Sequence, residues 1–193
     1  MNFDTVTVSL LFDALPKEAF NRLLSNEKVK LYIPTIPVGG IPFMLNFTFS
    51  YDDLSFTVYN VGFPSKTKTI FQVNRNISDM EALRDVIEKL ARVGDLVGSE
   101  YLIEMLLSYT LDYELKRVEN PFKSVTGYVF VDFDINSPQD LRLTSYLLDV
   151  RIVPNSANPK KTSVQLVYRD KRIDINKIEE IMNKVKKFLE GEK

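Results

Sequence analysis

The chain has 193 residues, with 26 acidic and 25 basic side chains and no Cys, His or Trp. Disulfides, thiol nucleophiles, thiolate metal sites, imidazole bases and imidazole metal ligands are therefore excluded. A content of 45% hydrophobic and 26% charged residues suits a folded domain, and a net charge of -1 provides no global field for nucleic acid or anionic lipid. In chain order, Val6, Val8, Leu10 and Phe12 alternate with polar residues and predict a half-buried strand. Pro16 opens a helix to about Leu24, and a second short helix is expected from Glu27 to Tyr32, before Pro34. Pro34, Pro37, Gly39, Gly40 and Pro42 then make an irregular stretch.

Strands are predicted at Phe43 to Tyr51, from Leu54 through Val58, and at Thr67 to Asn74, with Asp52-Asp53 as a hairpin turn. The period then changes to that of a helix. Ser78 and Glu81 have capping-box spacing, and Met80, Leu83, Val86, Ile87, Leu90 and Val93 form one stripe. Beyond Gly94 and Gly98, a second helix is expected from Ser99 to about Arg117, apolar on more than one side. Three more strands follow, at Val125–Phe133, Thr144–Val153 and Thr162–Arg169. Asp174 is a good N-cap for a C-terminal helix whose stripe is Ile175, Ile178, Ile181, Met182, Val185, Phe188 and Leu189.

The N-terminus lacks the basic start of a signal peptide, and no apolar run is long enough for a transmembrane segment. A cytoplasmic protein is the expectation. Charge is uneven: residues 1–159 hold 15 Lys/Arg and 20 Asp/Glu, whereas residues 160–193 hold 10 and 6. The basic segment reads first as a solvated helix face, and alternatively as a site for an acidic partner or lipid headgroup.

Seven strands joined mostly by short turns imply an α+β fold, a curved antiparallel sheet closed by the C-terminal helix. This order, with the segment VTVSLLFDALPKEAFNRLLSNEKVKLYIPTIP, resembles the helix-grip fold of the START and polyketide-cyclase (SRPBCC) superfamily. The resemblance implies a single domain over 1–193, with two short helices after strand one. Residues 77–121 depart from the usual pattern and read as a helical insertion between strands four and five. A competing layout comes from the similarity of IFQVNRNISDMEALRDVIEKL to VQLVYRDKRIDINKIEEIMNKV. It implies two tandem strand-rich halves, each closed by a helix, like the saddle of a TATA-binding-protein-type fold.

A helix-grip domain commonly holds an apolar cavity between sheet and C-terminal helix. The expected ligand-binding residues here are Phe47, Phe49, Phe56, Val58, Phe71, Val150, Ile152, Leu166, Tyr168, Ile178 and Met182. The same residues at the same spacing also fill a solid core. Tyr51, Tyr146 and Tyr168 offer inward hydroxyls, and Leu31, Tyr32, Ile36 and Phe63 are candidates for an entrance. Asp132 and Asp134 share one side of a strand and are expected to face solvent. No phosphate-binding loop, nucleophile elbow or calcium-loop spacing is present, so no cofactor, metal ligand or catalytic residue is expected. The leading expectation is non-enzymatic binding or transport of a small apolar or lipid-like molecule. The alternatives are an interaction module that forms a homodimer through residues 99–118, and a cyclase-like enzyme using carboxylate or Tyr groups. Nucleic acid is not an expected partner of the helix-grip layout; under the tandem layout a nucleic-acid role is the runner-up, with the net charge against it and the basic C-terminal segment leaving weak binding open.

Overall fold

The computed structural model describes residues 3–13, 15–32, 47–62, 67–115, 129–131 and 147–190. Over these residues it is an α+β structure with three helices and one open antiparallel sheet. The elements are β1 (Thr5–Asp13), α1 (Lys17–Leu24), β2 (Val29–Tyr32), β3 (Phe47–Tyr51), β4 (Leu54–Gly62), β5 (Thr67–Val73), α2 (Met80–Val97), β6 (Tyr101–Leu111), β7 (Val129–Val131), β8 (Leu147–Pro154), β9 (Thr162–Asp170) and α3 (Ile175–Glu190). The strand order is β2-β3-β4-β5-β1-β6-β9-β8-β7, with every neighbouring pair antiparallel.

Three expectations are corrected. Among the described residues the sheet has nine strands, not seven. The short helix expected at Glu27 to Tyr32 is absent, and Val29–Tyr32 forms an edge strand against β3. The helix expected at Ser99 to Arg117 is replaced over Tyr101–Leu111 by β6, the longest strand among the described residues, seated between β1 and β9. Hence the described part of this segment, 77–115, is not a pair of inserted helices; it contains one helix and then a central strand. The cause lies in position. A central strand with apolar residues on both faces loses the clean alternation that marks a half-buried strand. Leu, Met and Glu are good helix formers whose local preference is overridden by strand pairing.

The helix α2 extends past Gly94 to Val97. Its N-cap is Asp79, one residue after the expected Ser78; the Asp79 carboxylate accepts from the Ala82 N–H at 2.9 Å, and Ser78 Oγ donates to that carboxylate. Gly98 closes the helix in the left-handed conformation, φ 66°, which glycine adopts without a Cβ clash. The Arg22 guanidinium of α1 donates to the Val97 carbonyl at 2.8 and 3.1 Å, placing a cation at the negative end of α2. Asp174 caps α3 as expected, its carboxylate accepting from Asn176 N–H at 2.9 Å.

The strand order divides about the β1–β6 pair. On one side run β5, β4, β3 and β2; on the other, β9, β8 and β7. In each half, the strand that leads directly into a helix lies beside the central strand: β5 precedes α2, and β9 precedes α3. The two caps, Asp79 and Asp174, are 95 positions apart, as are Leu83 and Ile178, Ile87 and Met182, and Leu90 and Val185.

All three helices bury apolar residues in one cluster with the inward side chains of the sheet. Near the β3–β4 turn, where Asp52 takes φ 50°, the Asp53 carboxylate accepts from Lys89 at 2.6 Å and Arg75 at 3.1 Å. Both cations also reach Asp85 on α2, each at 2.9 Å. The hydrogen bond from Lys89 holds both carboxyls below their usual range. This network ties the hairpin tip to the helix.

Gly94 lies against the Tyr101 ring, where an added Cβ would stand 2.5 Å from two ring atoms. The ring is fixed by its hydroxyl, 3.1 Å from Asp95 and 3.3 Å from the Ala91 carbonyl, and it neighbours Phe12 at 6.0 Å. Burial, then the Asp95 hydrogen bond, push the Tyr101 pKa up to about 12. Gly94→Ala is therefore expected to destabilise the protein by about 1–3 kcal/mol through overpacking. The usual helix-propensity gain of about 1 kcal/mol for this exchange would act in the opposite direction. Urea denaturation of the two proteins checks the sign.

Candidate functional site

The expected ligand-binding residues reach the interior together. Phe49, Phe56, Val58, Phe71, Val150, Ile152, Leu166, Tyr168, Ile178 and Met182 are buried, and Phe47 packs half-buried against them. Tyr51 is also buried, with Lys28 Nζ 5.8 Å from its ring centre. Leu31 and Tyr32 are exposed on β2. Tyr146, Ile36, Phe63, Asp132 and Asp134 lie outside the described residues.

The buried set divides by chemistry. In the first half of the sheet, aromatic rings occupy the space. Phe49 and Phe56 stack at 4.7 Å; Phe71 meets Phe12 at 4.9 Å and Phe49 at 5.2 Å; Phe20 of α1 meets Phe47 at 5.7 Å and Phe71 at 6.2 Å. Such offset and edge contacts are the favoured geometries for aromatic pairs. The phenylalanines therefore pack on one another.

In the second half, the inward side chains are mostly aliphatic. Val150 and Ile152 on β8 pair with Leu166 and Val164 on β9, and Leu166 pairs with Leu107 on β6. The helix α3 contributes Ile178, Ile181, Met182, Val185 and Leu189 to the same core. Lys177 Nζ lies 5.5 Å from the Tyr168 ring centre, anchoring the first turn of the helix to the end of β9.

Within this aliphatic half is a group that the sequence reading did not single out. Tyr109 projects from β6 on the same face as Ile103, Met105 and Leu107, directly opposite Val164, with Ile152 one strand further. It is 1% exposed, and its hydroxyl is the single buried side-chain polar atom without a hydrogen-bond partner among the described residues. Burial alone pushes its pKa far above the usual tyrosine value, and no neighbouring charge contributes. Tyr109 was hidden because the segment reads as a helix; with period two, positions 103, 105, 107 and 109 fall on one face.

The buried cations lie elsewhere. Arg169 pairs in register with Glu104, opposite faces alternating with Tyr168, and its Nε donates to the Glu104 carboxylate at 2.8 Å. Lys68 is bonded to Asp13, and the exposed Arg151 to Asp149 at 2.9 Å. These three pairs sit on the sheet face away from the helices, which also presents Leu106, Gln165 and Thr5 to solvent.

The helix expected to mediate a homodimer through residues 99–118 is not formed over Tyr101–Leu111. Both edges of β6 are consumed by β1 and β9, so it offers no free edge to a second copy. No helix among the described residues is long and apolar enough to cross a membrane. No family model matches the chain, and no curated protein is significantly similar to it.

Proposed function

We propose that this chain is a non-catalytic binding domain that encloses a small apolar molecule between the second half of its sheet and α3. The placement rests on α3 and the inward strand residues of that half burying their apolar side chains in one core. The observation that carries it is the Tyr109 hydroxyl. A buried polar group without a partner costs about 1–3 kcal/mol, so such groups are rare and call for a specific explanation. A bound molecule that supplies the partner is one. The neighbouring strands fit an apolar occupant, since Val164 and Ile152 flank Tyr109 on the inward face and α3 adds the adaptable Met182 to the same core. A cyclase-like role is less well supported, because no Asp or Glu is among the buried residues described, leaving the tyrosine without an acid-base partner there.

The two-half strand order favours a saddle architecture of the TATA-binding-protein type over a single helix grip, but it does not bring nucleic acid with it. Counterion release needs unpaired cations on the binding face. On the face away from the described helices, Lys68, Arg151 and Arg169 each have a carboxylate, which leaves Lys30 on the edge strand β2 as the exposed cation there among the described strand residues.

The test is native mass spectrometry of the purified chain with solvent extraction, followed by titration with Nile red, an uncharged apolar dye. Saturable uptake of one dye per chain, displaced by the extracted material, is the expected result. A chain that carries no small molecule and shows no saturable dye binding overturns the proposal.

A further inference from the structure

Resting on the enclosed-ligand reading above, we infer that Tyr109 is the polar anchor of the site and that the ligand class is an apolar chain or ring bearing one neutral oxygen acceptor, such as a ketone, ester or ether, rather than a carboxylate or phosphate. The hydroxyl has no hydrogen-bond partner; Val164 lies opposite Tyr109 with Ile152 beyond, and the nearby buried Thr162 already gives its hydroxyl to the Tyr113 carbonyl. It can donate one hydrogen bond and accept others. A neutral acceptor satisfies it without bringing a charge into an apolar interior.

An anion there would need a cation, because burying an unpaired ionised group costs far more than one hydrogen bond returns. The two cations buried among the described residues, Lys68 and Arg169, project from the opposite face of the sheet and are already paired with Asp13 and Glu104. The inward face at Tyr109 has neither. Burial keeps the phenol protonated throughout the neutral range, so it remains a donor.

The experiment uses the full chain and displacement of Nile red by three probes of equal length: 2-tridecanone, tridecane and tridecanoate. The ketone is expected to bind about tenfold tighter than the hydrocarbon, the worth of one buried hydrogen bond of about 1.4 kcal/mol. The carboxylate is expected to bind more weakly than the ketone. In Tyr109→Phe, which keeps the ring and removes only the hydroxyl, the ketone advantage should disappear while tridecane binds as before. With its orphan polar atom gone, the ligand-free variant should melt no lower than the parent. Equal binding of ketone and hydrocarbon by the parent, or an advantage that survives in Tyr109→Phe, overturns the anchor while leaving an enclosed apolar site in place. Tightest binding of tridecanoate overturns the neutral class. Absence of saturable binding by every probe overturns the underlying reading itself.

Discussion

Replacing Phe71 with alanine is expected to destabilise the protein by about 3–5 kcal/mol, measured as a shift in the urea midpoint at unchanged slope. The ring is fully buried and touches partners from three other elements: Phe12 on β1, Phe49 on β3 and Phe20 on α1. Its strand neighbours are Leu10 and Val58. Truncation removes the apolar area of the ring and leaves a void that this many fixed neighbours refill only in part. Each aromatic pair adds about 0.5–1.5 kcal/mol beyond area burial, and three such pairs involve this ring. Against a total stability of about 5–15 kcal/mol, the loss is large enough to leave part of the population unfolded. The same variant distinguishes core from pocket wall in the first half. A side chain bordering an open cavity has fewer contacts to lose, so a cost under about 1 kcal/mol would place Phe71 on a wall. Phe71→Leu, which retains much of the volume, should cost less than Phe71→Ala.

The sequence was most legible where one face of an element is buried and the other wet. The alternation of Val8, Leu10 and Phe12 marks β1, and that of Phe47, Phe49 and Tyr51 marks β3. The two-residue turn at Asp52-Asp53 forms, and Leu83, Val86, Ile87, Leu90 and Val93 of α2 and Ile175, Ile178, Ile181, Met182, Val185 and Leu189 of α3 are buried as their spacing implies. Legibility failed at both extremes of exposure. In β2, Lys30, Leu31 and Tyr32 are all exposed, so a short edge strand carries little patterning to read. In β6, the outer face carries Leu102 and Leu106 as well as Glu104, and the pattern blurs toward a continuous apolar run. That second failure propagated. With β6 taken as a helix, the two tandem halves could be proposed from the repeated strand-helix junction but the strand order between them could not be assigned, and Tyr109 lost the face on which it lies. Every expected wall residue within the described interior is at least partly buried, yet burial follows from periodicity alone. The polar atom that gives the site a chemistry depended on the one strand whose periodicity was obscured.

The strand assignment of β6 makes a sharp prediction in turn. Leu106 and Leu107 are adjacent in sequence but opposed across the sheet, at 43% and 2% exposure. Leu107→Ala is expected to cost about 2–5 kcal/mol, because its side chain lies between Val6 and Leu166 in register on the inward face. Leu106→Ala should cost less than about 1 kcal/mol, as for other half-exposed positions that leave no buried void. A helix over the same residues would reverse the ranking: Leu102, Met105, Leu106 and Tyr109 would share its stripe, and Leu107 would stand about 100° away. Met105→Ala is costly in either geometry and so serves as the control for burial; it is fully buried here. Extending the series to Ile103→Ala, with the chain's urea midpoint as readout, should give losses at 103, 105 and 107 and near-silence at 106. Losses at 105 and 106 with silence at 107 would return the segment to a helix. They would also remove the central strand on which both the two-half sheet and the inward placement of Tyr109 depend.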